Sequence, residues 1–155
     1  MDAKQVRQMQ ETVEEWLKGL NVETAWLDGV EEQIGDTLRA MLPVTDAGDC
    51  VLFELMATPF EGTTELLHLY TTLIVEIGPG YEALKEIMLD WNLNCPLGAF
   101  GIYRPARQFY HRYTFPYPAD VKVESLAEQT VYLIKQVYTA VAEHFEDAVR
   151  LSGHN

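Results

Sequence analysis

Three runs of alternating apolar residues, separated by turn sequences, constrain the fold of this chain more than any other feature. In the segments 37–44, 50–58 and 66–77, nearly every second residue is apolar. These positions are Leu38, Ala40, Leu42 and Val44, then Val51, Phe53, Leu55 and Ala57, then Leu67, Leu69, Leu73, Val75 and Ile77. A period of two residues is typical of strands that bury one face. We therefore predict consecutive antiparallel strands, joined by turns at 46–49 and 59–63.

Helical patterns flank these strands. Residues 4–20 and 81–92 each place apolar residues at steps of three and four, which indicates amphipathic helices. Residues 125–128 (Ser-Leu-Ala-Glu) form a capping-box sequence and predict the start of a last helix that ends near residue 151. Shorter strands are predicted at 24–27, 99–103 and 108–115. The order is α-β-β-β-α-β-β-α, with three or four strands before the middle helix. The fold class is α+β, an antiparallel sheet with the terminal helices packed on one face, in a single domain 1–155.

The charge of the chain excludes some partners. The sequence has 11 basic and 24 acidic residues, a net charge of −13. Nucleic acids and anionic membranes would repel such a protein, so we predict that it binds neither. The first residues lack the apolar core of a signal peptide, and no apolar run approaches the length of a membrane span. We predict a cytoplasmic protein.

The residues that usually carry chemistry are scattered along the chain. They are His68, His111, His144 and His154, together with the cysteines Cys50 and Cys95. No two of them have the spacing of a metal motif, and no nucleophile elbow or phosphate-binding loop is present. We therefore predict no metal, no cofactor and no catalytic residues.

An acid-free window lies between Asp90 and Asp120. It contains Arg104, Arg107 and Arg112, interleaved with five aromatic residues. One interpretation is a contact patch for an acidic peptide or for the acidic half of a second subunit, since arginine and tyrosine are frequent in interfaces. The other is an ordinary hairpin whose arginines pair with carboxylates across the strands.

The second face of the predicted sheet is also unusually apolar. Alternation places Leu52, Met56, Tyr70, Ile74 and Tyr110 opposite the predicted core. A face of this composition needs a cover. Either the middle helix, which carries Trp91, covers it, or a second copy of the chain does.

The segment from Leu84 to Ile102 resembles the YbjN-like family, which is related to the type III secretion chaperone-like fold. The matching positions are Asn92, Pro96, Gly98 and Phe100, where a helix ends and the chain enters a strand. The resemblance implies a secretion chaperone-like fold for the whole chain. It also implies a small acidic protein, often dimeric, that binds other proteins without a cofactor. Proteins of the YbjN-like branch are described as regulators of sensory transduction.

From these observations we predict a non-catalytic protein-binding module, chaperone-like or regulatory, that forms a homodimer and binds a protein or peptide of unknown identity. The predicted surface comprises Met41, Leu52, Met56, Tyr70, Ile74, Trp91 and Tyr110, with Arg104, Arg107 and Arg112 at its rim. Three alternatives stay open. One is a small-molecule pocket between sheet and helices, lined by His68, His111 and Tyr113. Another is a small enzyme whose carboxylates, or a histidine and a carboxylate, meet in a cleft. The third is a purely structural subunit of a larger assembly, which would differ from a chaperone in that its binding is not transient.

Overall fold

A computed structural model describes residues 1–153 as three helices and six strands. The elements are α1 (Ala3–Gly19), β1 (Glu23–Leu27), β2 (Thr37–Pro43), β3 (Cys50–Pro59), β4 (Thr64–Ile74), α2 (Tyr81–Asn94), β5 (Ala99–Tyr103), β6 (Gln108–Pro118) and α3 (Val123–Ser152). The predicted α+β class and the positions of the terminal helices are confirmed. Four strands precede α2, the larger of the two predicted numbers. His154, one of the four histidines of the sequence, lies outside the described residues.

The sheet is antiparallel throughout, in the strand order β1-β2-β3-β4-β6-β5. Its central strands follow the predicted alternation, since Val51, Phe53, Leu55 and Ala57 of β3 are all buried. The residues between them are half-buried and project from the other face. The period-two pattern therefore decides which side chains of the sheet meet the helices.

All three helices lie on this inner face. Helices α1 and α3 pack against each other and against the sheet, and α2 packs against α3 and β5. Asp2 caps α1 through a capping box with Gln5. The buried amide of Gln10 donates to the carbonyl oxygens of Asp36 and Leu55 and so ties α1 to the sheet. None of the helices within residues 1–153 is both long and apolar enough to cross a membrane.

The end of β4 differs from the predicted alternation. The pairing of β4 with β6 shifts register between Thr72 and Ile74, and the strand ends at Ile74. Because a one-residue shift reverses the side-chain direction, Ile74 is buried in the core, whereas Val75 is 77% exposed. The prediction that Ile74 lies on the outer face, and Val75 on the inner one, is wrong.

Helix α3 begins before the predicted capping box. Its N-cap is Lys122, which makes no capping hydrogen bond through its side chain, so Ser125 lies inside the first turn. Val123 is half-buried against the core and extends the apolar stripe of Leu126 and Ala127 by one turn. Packing of this stripe outweighs the local capping signal.

Three of the residues on which the predicted family resemblance rests, Asn92, Gly98 and Phe100, form a structural unit at the edge of the sheet. The side chain of Asn92 donates from Nδ2 to the Phe100 carbonyl oxygen at 2.9 Å, and its Oδ1 accepts from the Phe100 N–H at 2.7 Å. The carboxamide thus satisfies both backbone groups of an edge-strand residue, as another strand would. Gly98 has a φ of +74°, and a Cβ there would lie 2.3 Å from the Arg112 carbonyl oxygen, so other side chains are excluded.

We expect Asn92→Ala to destabilise the fold by about 1–3 kcal/mol, because two backbone groups of Phe100 lose their partner. Urea unfolding measures the loss, and faster hydrogen exchange at the Phe100 amide locates it. Asn94→Ala is the matched control, since the Asn94 side chain makes only a 3.4 Å contact to the Asp90 carbonyl oxygen of its own helix. Equal effects of both substitutions would contradict this role of Asn92.

Candidate functional site

The outer face of the sheet is the candidate site, because all three helices lie on the other side. Cross-strand pairing arranges its residues in rows. One row contains Met41, Leu52, Thr72 and Tyr110, and the next contains Arg39, Glu54, Tyr70 and Arg112. Two acidic residues, Glu23 and Glu54, and two basic residues, Arg39 and Arg112, are the charged side chains of the strands on this face. The face therefore has no net charge.

The charged row is only partly neutralised within the chain. Arg39 Nε donates to Glu54 Oε2 at 2.9 Å. Arg112 lies in the same row, two strands from Glu54, and no ion pair among residues 1–153 includes it. Its guanidinium is exposed beside Tyr70. An exposed arginine flanked by an aromatic ring is well suited to contact a carboxylate of a partner.

Two stacked tyrosines occupy the centre of the face. The rings of Tyr70 and Tyr110 stack with centroids 4.8 Å apart. Tyr110 also lies across Gly101, where a Cβ would approach its ring within 2.6 Å. Burial raises the pKa of Tyr70 to about 12, with further contributions from Tyr110 and Glu54. The Tyr70 hydroxyl therefore stays protonated and donates to Gln108 Oε1 at 2.9 Å.

His68 lies in a shallow depression of the same face. Its ring nitrogens contact the hydroxyls of Thr58 at 2.8 Å and Thr114 at 3.0 Å. Burial, and to a smaller extent the charge of Arg112, lowers the pKa of His68. The depression has a volume of about 350 Å³. Both ring nitrogens are thus already bonded within the chain, which leaves the imidazole no free position for a metal or a proton transfer.

Only part of the predicted surface lies on this face. The structure brings together Met41, Leu52, Met56, Tyr70, Tyr110 and Arg112. Trp91 lies on the opposite side of the sheet, because α2 joins the helical layer and does not cover the outer face. Its ring contacts those of Phe100 and Phe109, with centroids 5.7 Å and 6.2 Å away. Trp91 and the buried Ile74 are therefore not part of the outer face.

The two remaining arginines lie in the turn between β5 and β6. Arg107 has an intramolecular role, since its guanidinium donates to the carbonyl oxygens of Ile77 at 3.1 Å and Gly78 at 2.9 Å. It also lies 4.6 Å above the ring of Tyr81. Arg107 thus fixes the segment that leads into α2. Arg104 is exposed at the end of the sheet. Of the three predicted rim arginines, only Arg112 lies within the outer face.

An aromatic cluster between α2, α3 and the β5–β6 hairpin was not predicted. It includes Trp91, Phe100, Phe109, His111 and His144. The sequence signal that could have revealed it is the position of His144 beside the apolar stripe of α3, next to Phe145. We predicted no role for His144, but its ring contacts Trp91 with centroids 4.6 Å apart.

Like Phe109, His111 is a fully buried member of this cluster. Its Nε2 lies 2.9 Å from the Leu97 carbonyl oxygen, so Nε2 carries the proton and donates. Its Nδ1 has no hydrogen-bond partner. The Cys95 sulfur lies 3.7 Å from Nε2. Because that nitrogen is protonated, it cannot accept the thiol proton, and the two residues do not form an activated nucleophile.

The predicted small-molecule pocket is wrong in its lining. His68 projects from the outer face, whereas His111 and Tyr113 both lie on the inner face of β6. The sheet itself separates the two histidines. A cleft between α2 and α3 does bring together Glu86, Asp90 and Asp147. These carboxylates are exposed, so the cleft lacks the buried setting in which acid–base pairs are usually found.

Within residues 1–153, no three histidine, cysteine, aspartate or glutamate side chains group closely enough to hold a metal ion. No family model matches the chain. No curated protein matches it either. The resemblance to the YbjN-like family stays a prediction that rests on Asn92, Pro96, Gly98 and Phe100.

We expect His111 to make the fold sensitive to acid. Burial lowers its pKa in the folded state, and the charge of His144 adds to this, although the bond to Leu97 opposes it. An unfolded histidine has a pKa of about 6.5. Below that pH the unfolded chain binds a proton that the folded chain does not. The free energy of unfolding therefore decreases as the pH is lowered, until the folded-state pKa is reached.

The variant His111→Asn should therefore lose less stability than the wild type between pH 7.5 and 5.5, whatever its stability at pH 7.5. Urea unfolding at several pH values measures both slopes. A residual slope is expected from His68, whose pKa is also lowered. Identical slopes in variant and wild type would show that His111 does not cause the acid sensitivity.

Proposed function

We propose that this protein is a non-catalytic protein-binding module and that the outer face of its sheet is the protein-binding surface. The observation that carries the proposal is the difference in charge between the outer face and the whole chain. The outer face has no net charge, although the whole chain has a net charge of −13. Its centre is half-buried and aromatic, and no element of the described chain covers it. A surface of this kind is typical of a protein interface.

A second copy of the chain is the occupant that the two acidic and two basic side chains of the outer face favour, because such a face can be complementary to itself. Two molecules of net charge −13 repel each other over most of their surfaces. The repulsion is smallest where both present a neutral face. Contact through the outer face also brings the apolar row of Met41 and Leu52 out of water. The net charge of −13 repels a second copy no more strongly than it repels another protein of equal acidity. A face that is complementary to itself also requires no further partner.

The charged row suggests how the two copies would be oriented. In a two-fold arrangement with the axis along β4, the strands on either side of β4 exchange places. Glu54 on β3 then lies opposite Arg112 of the second copy, and Tyr70 lies opposite its own symmetry mate. In this arrangement five strands of each copy, β2, β3, β4, β6 and β5, overlap with strands of the other copy. Strand spacing and rise give these five strands a projected area on the order of 600 Å². Stable interfaces bury about 800 Å² of accessible surface per partner, so the face is of the right size.

The role of the dimer is chaperone-like or regulatory in this proposal. Its support is the resemblance of Leu84–Ile102 to the YbjN-like family, together with the order of helices and strands. We also propose a cytoplasmic location. Cys50 is exposed and both cysteines are free in the structure, which fits a reducing compartment.

The variant Leu52→Glu tests the proposed interface. Each dimer would contain the new carboxylate twice near its two-fold axis, so we expect the dissociation constant to rise at least 100-fold. Sedimentation or light scattering over a concentration series measures it. Tyr132→Glu is the matched control, because Tyr132 is 62% exposed on α3, away from the outer face. The control should leave the dimer intact.

A second variant, Arg112→Glu, tests the proposed interface independently of Leu52→Glu. Arg112→Glu changes an exposed side chain, so its fold should be preserved, and it replaces the proposed contact with Glu54 by repulsion. It should weaken the dimer at least tenfold. A wild-type protein that stays monomeric at high concentration would refute the second copy as occupant. Binding of a different polypeptide by that monomer, lost in Leu52→Glu, would assign the face to that partner and refute self-association equally.

A further inference from the structure

A second candidate site lies on the helical side of the molecule, remote from the outer face. It is a groove of about 430 Å³ where the end of α1, the middle of α3 and the end of β2 meet. Its lining is almost entirely apolar and includes Trp16, Leu17, Leu20, Leu42, Ile134 and Tyr138. The sequence did not predict this groove, because its lining residues come from separate segments of the chain.

The floor of the groove is formed by residues of the core. Leu17, Leu42 and Ile134 are buried residues that hold the helices on the sheet. The Tyr138 hydroxyl donates to the Pro43 carbonyl oxygen and so closes one end of the groove between α3 and β2. Leu20, by contrast, is 57% exposed at the opening. The groove is thus largely preformed, and an apolar ligand would not need to reorganise the fold in order to enter it.

One cation lies at this groove. The Lys135 ammonium is 5.7 Å from the centroid of the Trp16 ring. Its neighbours one turn away on α3, at positions 131, 132, 138 and 139, are all uncharged. No ion pair in the described part of the chain involves Lys135. On such an acidic protein, a lysine without a carboxylate beside an apolar groove is complementary to an anion that has an apolar body.

We propose that the groove binds a small amphipathic anion, namely an unbranched or aromatic apolar group that carries one carboxylate. The apolar group lies against the accessible side chains of Trp16, Leu20 and Tyr138, above the buried floor of Leu17, Leu42 and Ile134, and the carboxylate pairs with Lys135. The size of the groove lies in the range of small-molecule pockets. A docking helix would need a longer row of pockets along its length, so a partner helix fits the groove less well. The inference goes beyond the proposed protein-binding function, and its site is separate from the outer face.

Decanoate is the probe, with decanol and decylamine as neutral and cationic analogues, all used below their micellar concentrations. Isothermal titration calorimetry measures affinity, and amide and indole chemical shifts locate the bound molecule. We expect decanoate to bind more tightly than decanol, and decylamine to bind weakest. From hexanoate to decanoate, each added methylene should tighten binding about fourfold until the groove is filled. The shifts should centre on the Trp16 indole and on residues 134–139.

Three variants assign the contacts. Lys135→Met should weaken decanoate binding about three- to fivefold, as expected for an exposed ion pair, and leave decanol binding unchanged. Lys122→Met is the matched control, since Lys122 is another exposed lysine of the α3 region and should have no effect. Thr139→Trp places a bulky side chain in the groove and should abolish binding of both ligands.

The proposal is overturned by any of three results. These are no binding of decanoate at millimolar concentration, equal binding of decanoate and decylamine, and chemical shifts centred on the outer face. The Leu52→Glu variant separates the two proposals, because it should disrupt the dimer and leave decanoate binding unchanged. Conversely, a monomeric wild-type protein that binds decanoate in the groove would support this inference although self-association had failed.

Discussion

The contact between the inner face of the sheet and the helices α1 and α3 determines the arrangement of the rest of the molecule. Alternate residues of β3 and β4 are buried in this contact, and the buried amide of Gln10 secures it with hydrogen bonds to two backbone carbonyl groups. Because the alternation has a period of two, the same backbone that directs Phe53 and Leu55 into the core directs Leu52 and Glu54 outward. The outer face is therefore a direct consequence of how the core is built.

The position of α2 then decides that this face stays open. A middle helix could in principle cover the outer face and give a three-layered protein. Trp91, however, packs into a cluster with Phe100, Phe109 and His144, and the side chain of Asn92 bonds to the backbone of Phe100. These contacts hold α2 on the helical side at the edge of the sheet. Asn92 and Phe100 thus act on the fold, and through it on the surface that the protein presents.

The sequence was sufficient to predict the strands, the amphipathic helices and most of the inner and outer positions, since these depend on local periodicity. The sequence was not sufficient where a tertiary contact or a register shift changes the position that local periodicity predicts. The register shift near Thr72 reverses the faces on which Ile74 and Val75 lie, and no turn residue in the sequence marks this shift. The side of the sheet on which α2 packs also depends on distant partners, because the pattern of α2 shows an apolar stripe and not what the stripe meets. Arg107 was predicted at a rim, but its guanidinium is bonded to the backbone of the preceding loop.

Because the protein has a net charge of −13, binding at the two candidate sites should depend on salt differently from an ordinary ion pair. An ion pair weakens with added salt, since ions screen the attraction. Here the long-range field of the protein opposes both a second copy and an anionic ligand, whereas the apolar contacts around Leu52 and in the groove act at short range. Salt at physiological strength screens over about 8 Å, so it reduces the long-range repulsion more than contacts that exclude water. Association at either site should therefore be favoured, not weakened, as salt rises from very low concentrations, which distinguishes binding driven by apolar burial from binding driven by charge alone.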